Sequence, residues 1–549
     1  MEFKLDSRKD DDRSRSYLLK GDRFLDNYDY VKAIESYNAA ICYALPFSSQ
    51  LPTGYMKRAK IYTKLGLHKE ALRSLEFAMQ TETNDEEIRV QLYQQREKCV
   101  DKLGDDSALK SFRRVLDEPQ ITHNFHKKVP FASDCLEVAE SSVFGRYLRT
   151  TKDLVPGQIL SIEPAYCRVL DRKFIYKKCT HCLKSCHFNL FPCTKCSMAM
   201  FCSEKCLDYS ETYHKYECAI MGVIYNVFCD TDHGSLPWMA LRQLLLTLRW
   251  YWRFQDLLKL LVDAESGNFH FQRFNFETSV QKNYMEYILS LTTKPQIDEE
   301  FIEISELCDK MIDVLTKKSP LREDIRQYKL HDATFSSSKY REVMTRVLIR
   351  FFYVNLTNVY SLVSTPEWWD RSEAMRNESF ALAIFPFTTL INHACVSNVK
   401  ALFVGEGSTN FMIYVNRPIA AGKQIFITYQ KEMNYLETPL EKRRETILSE
   451  FGFVCGCVAC VNNYAVASKL KHMCLMSNEE KEFVKENVQM LDDKPDNVAK
   501  ACKKALKMYG KILVKYEKQY PCLDLNQVEL LLDHCILLLY RNRPFSYES

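Results

Sequence analysis

Eight of the chain's 22 cysteines fall within the 40 residues from Cys179 to Cys218, and no other feature restricts the fold as much. The spacing is C-x2-C-x10-C-x2-C-x5-C-x3-C-x7-H-x3-C, through Cys179, Cys182, Cys193, Cys196, Cys202, Cys206, His214 and Cys218. Eight soft ligands suit two tetrahedral Zn²⁺ sites, because each close pair can grip one metal from a tight turn. Zinc also answers a stability problem. So short a segment buries little core, whereas metal binding contributes on the order of 10 kcal/mol of folding free energy. Cys186 and His187 sit inside the ten-residue gap and stand as spare ligands or as partners in a ligand swap.

Thiols held for metal imply a reducing compartment. The opening, MEFKLDSRKDDDRSRS, carries charge where a secretory signal needs an apolar core. No apolar run approaches membrane-spanning length, since the nearest candidate is broken by Asp533 and His534. The expectation is a soluble protein of the cytoplasm and nucleus. With 549 residues, 46% of them hydrophobic, there is material for several cores. A net charge of +4 on a 27% charged chain excludes an acidic or basic disordered tail and a histone-like electrostatic DNA binder.

Residues 1–15 are a charge run, expected to be a disordered, solvated terminus. Helical patterning then repeats: Ala33, Tyr37 and Ala40 return as Ala71, Leu75 and Ala78, at an offset of 38. Ahead of each trio runs another helix, with Tyr17, Gly21 and Phe24 in one copy and Tyr55, Ala59 and Tyr62 in the other. Small residues there let the two helices of a hairpin approach, and large ones fill the gap. The pattern over 16–115 resembles tetratricopeptide repeats, stretched around LPFSSQLP. Two copies are too few to stand alone, so these helices should dock on another part of the chain. EPQITHNFHKKVP reads as a linker, and RYLRTT and GQILSIE as strands around a Pro156-Gly157 turn. The stretch after the cysteines reads as helical, strands return only after about residue 381, and the tail is helical again. One β-rich module is therefore split by two insertions.

Four separated elements of that module converge. FGRYLRTTKDLVPGQILSIEPA, TLINHACVSN, GKQIFITY and CGCVAC resemble, in order, the opening strands, the N-H-x-C segment, the tyrosine strand and the cysteine-rich tail of SET domains. The inserted cysteine cluster resembles a MYND zinc finger. The chain is thus similar to SET-and-MYND protein lysine methyltransferases, most like the subgroup with N-terminal tetratricopeptide repeats. The resemblance implies an α+β multidomain fold, a split SET core with MYND and helical insertions flanked by helical domains. Its parts would be SET at 130–178, MYND at 179–218, a helical insertion at 219–357, SET again at 358–452, a post-SET zinc site at 453–462 and a helical domain at 463–549.

The same resemblance implies ligand sets and roles. In the finger the pairs interleave: Cys179 and Cys182 with Cys202 and Cys206, and Cys193 and Cys196 with His214 and Cys218. Cys455, Cys457 and Cys460 supply three thiolates, and Cys395 completes a third site. Full ligation leaves no open position, so all three zincs would be structural. Gly145, Arg146, Asn358, Asn392, His393 and Phe453 would hold S-adenosylmethionine. Tyr429 would be the catalytic tyrosine, with Tyr360 and Phe451 lining the lysine channel. A lysine with pKa about 10.4 must arrive neutral, and a neutral tyrosine can orient it without adding charge.

Departures from the family pattern are Tyr147 for the second glycine of the cofactor turn, Ala394, Ser397 and Lys423-Gln424. A rival reading is a non-catalytic scaffold or transcriptional co-repressor. Expected partners are proteins bearing a target lysine, proline-rich or other peptides at the finger, and chaperones or co-repressors at the repeats. Lys195, Lys205 and Lys215 read as a solvated face, so neither nucleic acid nor membrane is an expected partner.

Overall fold

The computed structural model describes residues 7–81, 85–103, 118–184, 190–266, 280–291, 298–331, 335–363, 379–405, 409–429, 438–472, 475–488 and 495–540. Cys186, His187 and the end of the repeat region lie outside these residues.

Helices α1 (Asp11–Asp26), α2 (Tyr30–Tyr43), α3 (Gln50–Lys64), α4 (His68–Met79) and α5 (Glu86–Val100) form the N-terminal part. From residue 7 on, the charge run is not a frayed end. Asp10 caps α1 by accepting from the backbone N–H groups of Asp12 and Arg13, and the acidic first turn suits the helix dipole. Buried Ser14 donates to Ala40 O at 2.9 Å, so helix order reaches into the expected tail. The repeat trios are fully buried. A Cβ on Gly21 would lie 2.3 Å from Tyr37 Cε1, which is why glycine stands there.

The β-rich part contains β1 (Phe125–His126), β2 (Val129–Ser133), β3 (Leu136–Ser141), β4 (Gly145–Thr150), β5 (Ile159–Pro164) and β6 (Cys167–Leu170). The expected linker is thus partly sheet: β1 and β2 form one side of a five-stranded sheet, because Val129 and Ala132 are buried against the core. The cysteine-rich segment follows, with the hairpin β7 (Phe191–Pro192) and β8 (Met200–Phe201) and helix α6 (Glu204–Glu217). The N-terminal helices dock on it. Fully buried Arg58 donates to Asn38 Oδ1 at 2.7 Å and to Leu190 O at 2.6 Å, and Asn38 donates to Tyr176 O at 2.8 Å. Phe77 packs on Phe191 with ring centroids 5.5 Å apart.

A helical layer comes next: α7 (Leu236–Leu248), α8 (Phe254–Glu265), α9 (Val280–Ser290), α10 (Glu299–Lys318), α11 (Leu321–His331) and α12 (Ser337–Asn358). Its core includes a buried ion pair, Arg242 with Glu217. Strand β9 (Val359–Val363) emerges directly from α12, earlier than the expected return of strands, and joins β6 and β10 (Ser379–Ile384) in a three-stranded sheet. The remaining strands are β11 (Asn392–His393), β12 (Val399–Val404), β13 (Asn410–Val415) and β14 (Phe426–Ile427). The five-stranded sheet runs β1-β2-β5-β13-β12, and β11 pairs with β14 in parallel.

Helix α13 (Leu440–Phe451) ends at Gly452, whose φ of 74° is the left-handed stop that glycine accepts without strain. The tail holds α14 (Asn478–Val488), α15 (Pro495–Lys515) and α16 (Leu523–Tyr540). It packs over β5 and β13 through Ile159, Met412 and Tyr414. Polar ties join the layers: Tyr414 OH donates to Asp533 at 2.9 Å, Lys400 pairs with Asp533, and Arg417 pairs with Glu529.

Candidate functional site

Three groups of four ligand atoms assemble, each with all members within 4.8 Å of one another: Cys179, Cys182, Cys202 and Cys206; Cys193, Cys196, His214 and Cys218; Cys395, Cys455, Cys457 and Cys460. A tetrahedron with Zn–S bonds of about 2.3 Å has edges of about 3.8 Å. The sulfurs of Cys182 and Cys202 are 3.5 Å apart, those of Cys193 and Cys218 3.8 Å, and those of Cys395 and Cys455 3.8 Å. The groups fit three zinc ions, each with four protein ligands and no vacant position. The third ties the segment after α13 to the end of β11.

That tie borders a cavity of about 920 Å³. Asn392 and His393 reach it because β11 pairs in parallel with β14, Asn392 opposite Phe426 and His393 opposite Ile427. The turn ahead of β11 is pinned by buried Glu163, which accepts from the backbone N–H groups of Phe387 and Thr388, both at 2.8 Å, and from the Thr388 hydroxyl. Asn392 Nδ2 donates to Phe144 O at 3.1 Å, linking this strand to the β3–β4 turn. Tyr429 follows β14, and its backbone N–H donates to His393 Nδ1 at 3.1 Å. That bond sets the tautomer: the proton sits on Nε2, 3.4 Å from the sulfur of Cys395. Burial pushes the imidazole down to about 4, so it is neutral.

Aromatic rings surround Tyr429. Its ring centroid lies 5.3 Å from His393 and 5.0 Å from Phe451, and His393 is 6.2 Å from Phe453. Burial, with Tyr287 beside it, lifts the Tyr429 phenol above its ordinary value, so it stays protonated. Burial likewise raises Tyr360, whose ring packs on Phe411 at 4.6 Å.

Of the nine non-metal residues expected at the site, Asn392, His393, Tyr429 and Phe453 line the cavity, and Phe451 and Tyr360 stand behind its wall. Gly145, with φ of 59°, turns the exposed hairpin tip, while its neighbours Val143 and Phe144 face the cavity. Arg146 points elsewhere, over the Tyr287 ring at 5.1 Å and toward Ser290. The structure does not bring Asn358 to the cavity: its amide donates to Val354 O and Thr357 Oγ1 at the end of α12. Tyr147 also lies outside the wall, edge-on to Phe144. Residues that the sequence reading missed are Phe144 and Phe426 at one end and Arg417, Tyr520 and Glu529 at the other. Phe144 had a signal, an apolar residue at a hairpin tip, and Phe426 stood within the strand GKQIFITY. Arg417, Tyr520 and Glu529 had none.

The SET domain family profile matches residues 145–430. The chain belongs to the SET-domain family, in its SET-and-MYND branch. It is similar to "Protein-lysine N-methyltransferase SMYD4" of Gallus gallus, 25% identical over 360 residues, 55% of this chain and 46% of the relative. The Homo sapiens protein of the same name is 21% identical over 563 residues, covering 82% of this chain and 67% of its own. A SET and MYND domain-containing protein of Dictyostelium discoideum is 22% identical over 338 residues, 59% of this chain and 60% of that protein. The chain therefore spans about half to two thirds of the length of these relatives.

Proposed function

We propose that this protein transfers a methyl group from S-adenosylmethionine to lysine side chains of proteins, and that its three zinc ions are structural. One observation carries the reading: a single cavity gathers Asn392, His393, Tyr429 and Phe453 beside a four-cysteine group. Its 920 Å³ and its mixed aromatic and polar wall fit a nucleoside with a charged amino-acid arm. Asn392 and His393 would hold that molecule from β11, Phe453 would cover its base, and Phe144 and Phe426 would flank it.

The cofactor supplies an electrophilic methyl on a sulfonium. The chain's own residues supply position and exclude water. Tyr429 is held at its backbone by His393, and its protonated hydroxyl can orient a neutral amine without adding charge. Phe451, behind the wall, backs Tyr429 at 5.0 Å, and an aromatic surround of this kind suits an alkyl stem that ends in a cation. Tyr147 leaves the cavity open, and this supports the enzyme over the scaffold reading.

The finger would take a proline-rich or other peptide, and the N-terminal helices a chaperone or co-repressor. Thiolate metal ligands fit a reducing compartment, the cytoplasm and nucleus. No helix among the described residues is long and apolar enough to cross a membrane. The test is calorimetric titration of the purified protein with S-adenosylmethionine, followed by radiolabelled methyl transfer to a protein panel. Binding with transfer to lysine is expected. Absence of binding would overturn the reading.

A further inference from the structure

A second cavity, of about 390 Å³, opens where the finger, the β core and the helical layer meet. Its charged wall is Arg168 of β6 with Arg242 of α7 and Arg249 at the C-cap of that helix, and its aromatic wall is His181, Tyr209 and Tyr213 of the finger. Among the described residues, no carboxylate lines it. Asp208 and Glu211, next in sequence on α6, are exposed and outside the wall.

The three arginines differ in how far their charge is already used. Buried Arg242 is spent: Nε and one terminal nitrogen donate to Glu217 at 2.9 and 2.6 Å, and the other donates to Arg168 O. Arg168 uses only its Nε, on His181 O at 2.6 Å. Its terminal nitrogens have no hydrogen-bond partner among the described residues. Among the described residues, the exposed Arg249 side chain makes only a ring contact with its neighbour Trp250, at 5.4 Å. Two guanidinium groups therefore face the cavity without a counter-charge. Opposite them is a stack: His181 lies near-parallel to Tyr209, ring centroids 5.9 Å apart, and its Nδ1 is 2.8 Å from Tyr213 OH. Tyr209 is 66% exposed as a residue, and it offers an aromatic face to a ligand.

We infer that this cavity binds an acidic peptide segment of a partner protein, a side-chain carboxylate on Arg168 and Arg249 and the adjoining residue against Tyr209. Planar guanidinium forks match a carboxylate, and a tyrosine face takes an aliphatic side chain or a proline ring. The volume suits a few residues. Two free guanidinium groups are too few to follow a nucleic-acid backbone, which takes many phosphate contacts. The assignment differs from the proline-rich expectation in requiring an anionic residue, and it does not depend on methyl transfer.

The test uses the full chain, with zinc content checked for each variant, and fluorescence anisotropy of labelled Pro-Glu-Glu-Leu-Pro and its Gln-Gln twin. The acidic peptide should bind about 10-fold tighter than the neutral one, as expected for a charged hydrogen bond. Arg249→Ala, at an exposed position where folding is not at stake, should cancel that preference. Tyr209→Ala should weaken both peptides, and Lys195→Ala neither. Equal affinity for the two peptides, or an unchanged preference in Arg249→Ala, overturns the proposal. So does displacement of the peptide by inorganic phosphate at the peptide's own concentration, which would reduce the cavity to a small-anion site.

Discussion

Arg417→Met tests how the C-terminal helices are held to the β core. Arg417 follows β13, and its terminal nitrogen donates to Glu529 of α16 at 3.0 Å. The guanidinium also lies 3.6 Å from the centre of the Tyr520 ring. Only 13% of the arginine side chain and 8% of the glutamate is exposed. Burial works against both charges, lowering the arginine pKa and pushing Glu529 up to about 7, and mutual attraction offsets part of that. Removing one partner strands the other, at a cost of about 3–5 kcal/mol. Removing both charges, in Arg417→Met with Glu529→Gln, should restore most of it. A chain of several layers has no single unfolding free energy, so the readout must be local. Hydrogen exchange followed by mass spectrometry on α16 supplies it. A loss of about 3 kcal/mol raises the opening equilibrium on the order of 100-fold, and the double variant should return to within about 10-fold of the parent. Unchanged α16 exchange in Arg417→Met, or a double variant as fast as the single one, would refute the reasoning.

Tyr429→Phe should reduce methyl transfer about 100-fold while cofactor binding and zinc content hold, because one hydroxyl is lost and the ring stays; equal rates would remove the tyrosine from the reaction. Elemental analysis should find three zincs per chain, matching the three ligand groups. Cys395→Ser should bring that to two and disturb Tyr429 through His393, so that activity and metal fall together. Burial lifts Glu163 to about 7 against the donors that favour its charge, so the folded chain binds this proton more tightly than the unfolded one. Its contribution is whole below about pH 4.5 and is lost as pH rises through about 7. The thermal midpoint should therefore fall from about pH 6 to about pH 8, and an identical fall in Glu163→Gln would assign the effect elsewhere.

What could be read from sequence was what local chemistry dictates. All twelve metal ligands were legible, since a metal is gripped by pairs a few residues apart, although their sorting needed the family resemblance. The repeats were legible because close helix approach demands small residues such as Gly21 and Ala33. The order of α1 was hidden by its charges, because its anchor is one buried serine reaching Ala40. Strands β1 and β2 were hidden by length, being two and five residues long with no alternation to read. In the cavity, Asn392, His393 and Tyr429 were singled out by the family resemblance alone, since a polar pair at a strand end and a sheet tyrosine carry no signal of their own. Arg417 and Glu529, by contrast, lie 112 residues apart and meet only through the packing of α16 on β13.

The bond from Arg58 to Leu190 spans 132 residues, and it carries a consequence for synthesis. At roughly 5–20 residues per second, the first hairpins leave the ribosome about 7–26 s before the finger that completes them. In that interval Arg58 lacks its carbonyl partner, and the finger-facing flank of α2 and α4 lacks its cover. The finger cannot provide either until its own cysteines have found metal. A cell short of zinc would thus lose this chain as an unfinished helical flank awaiting its neighbour, a clientele problem for nascent-chain chaperones well before any substrate is met.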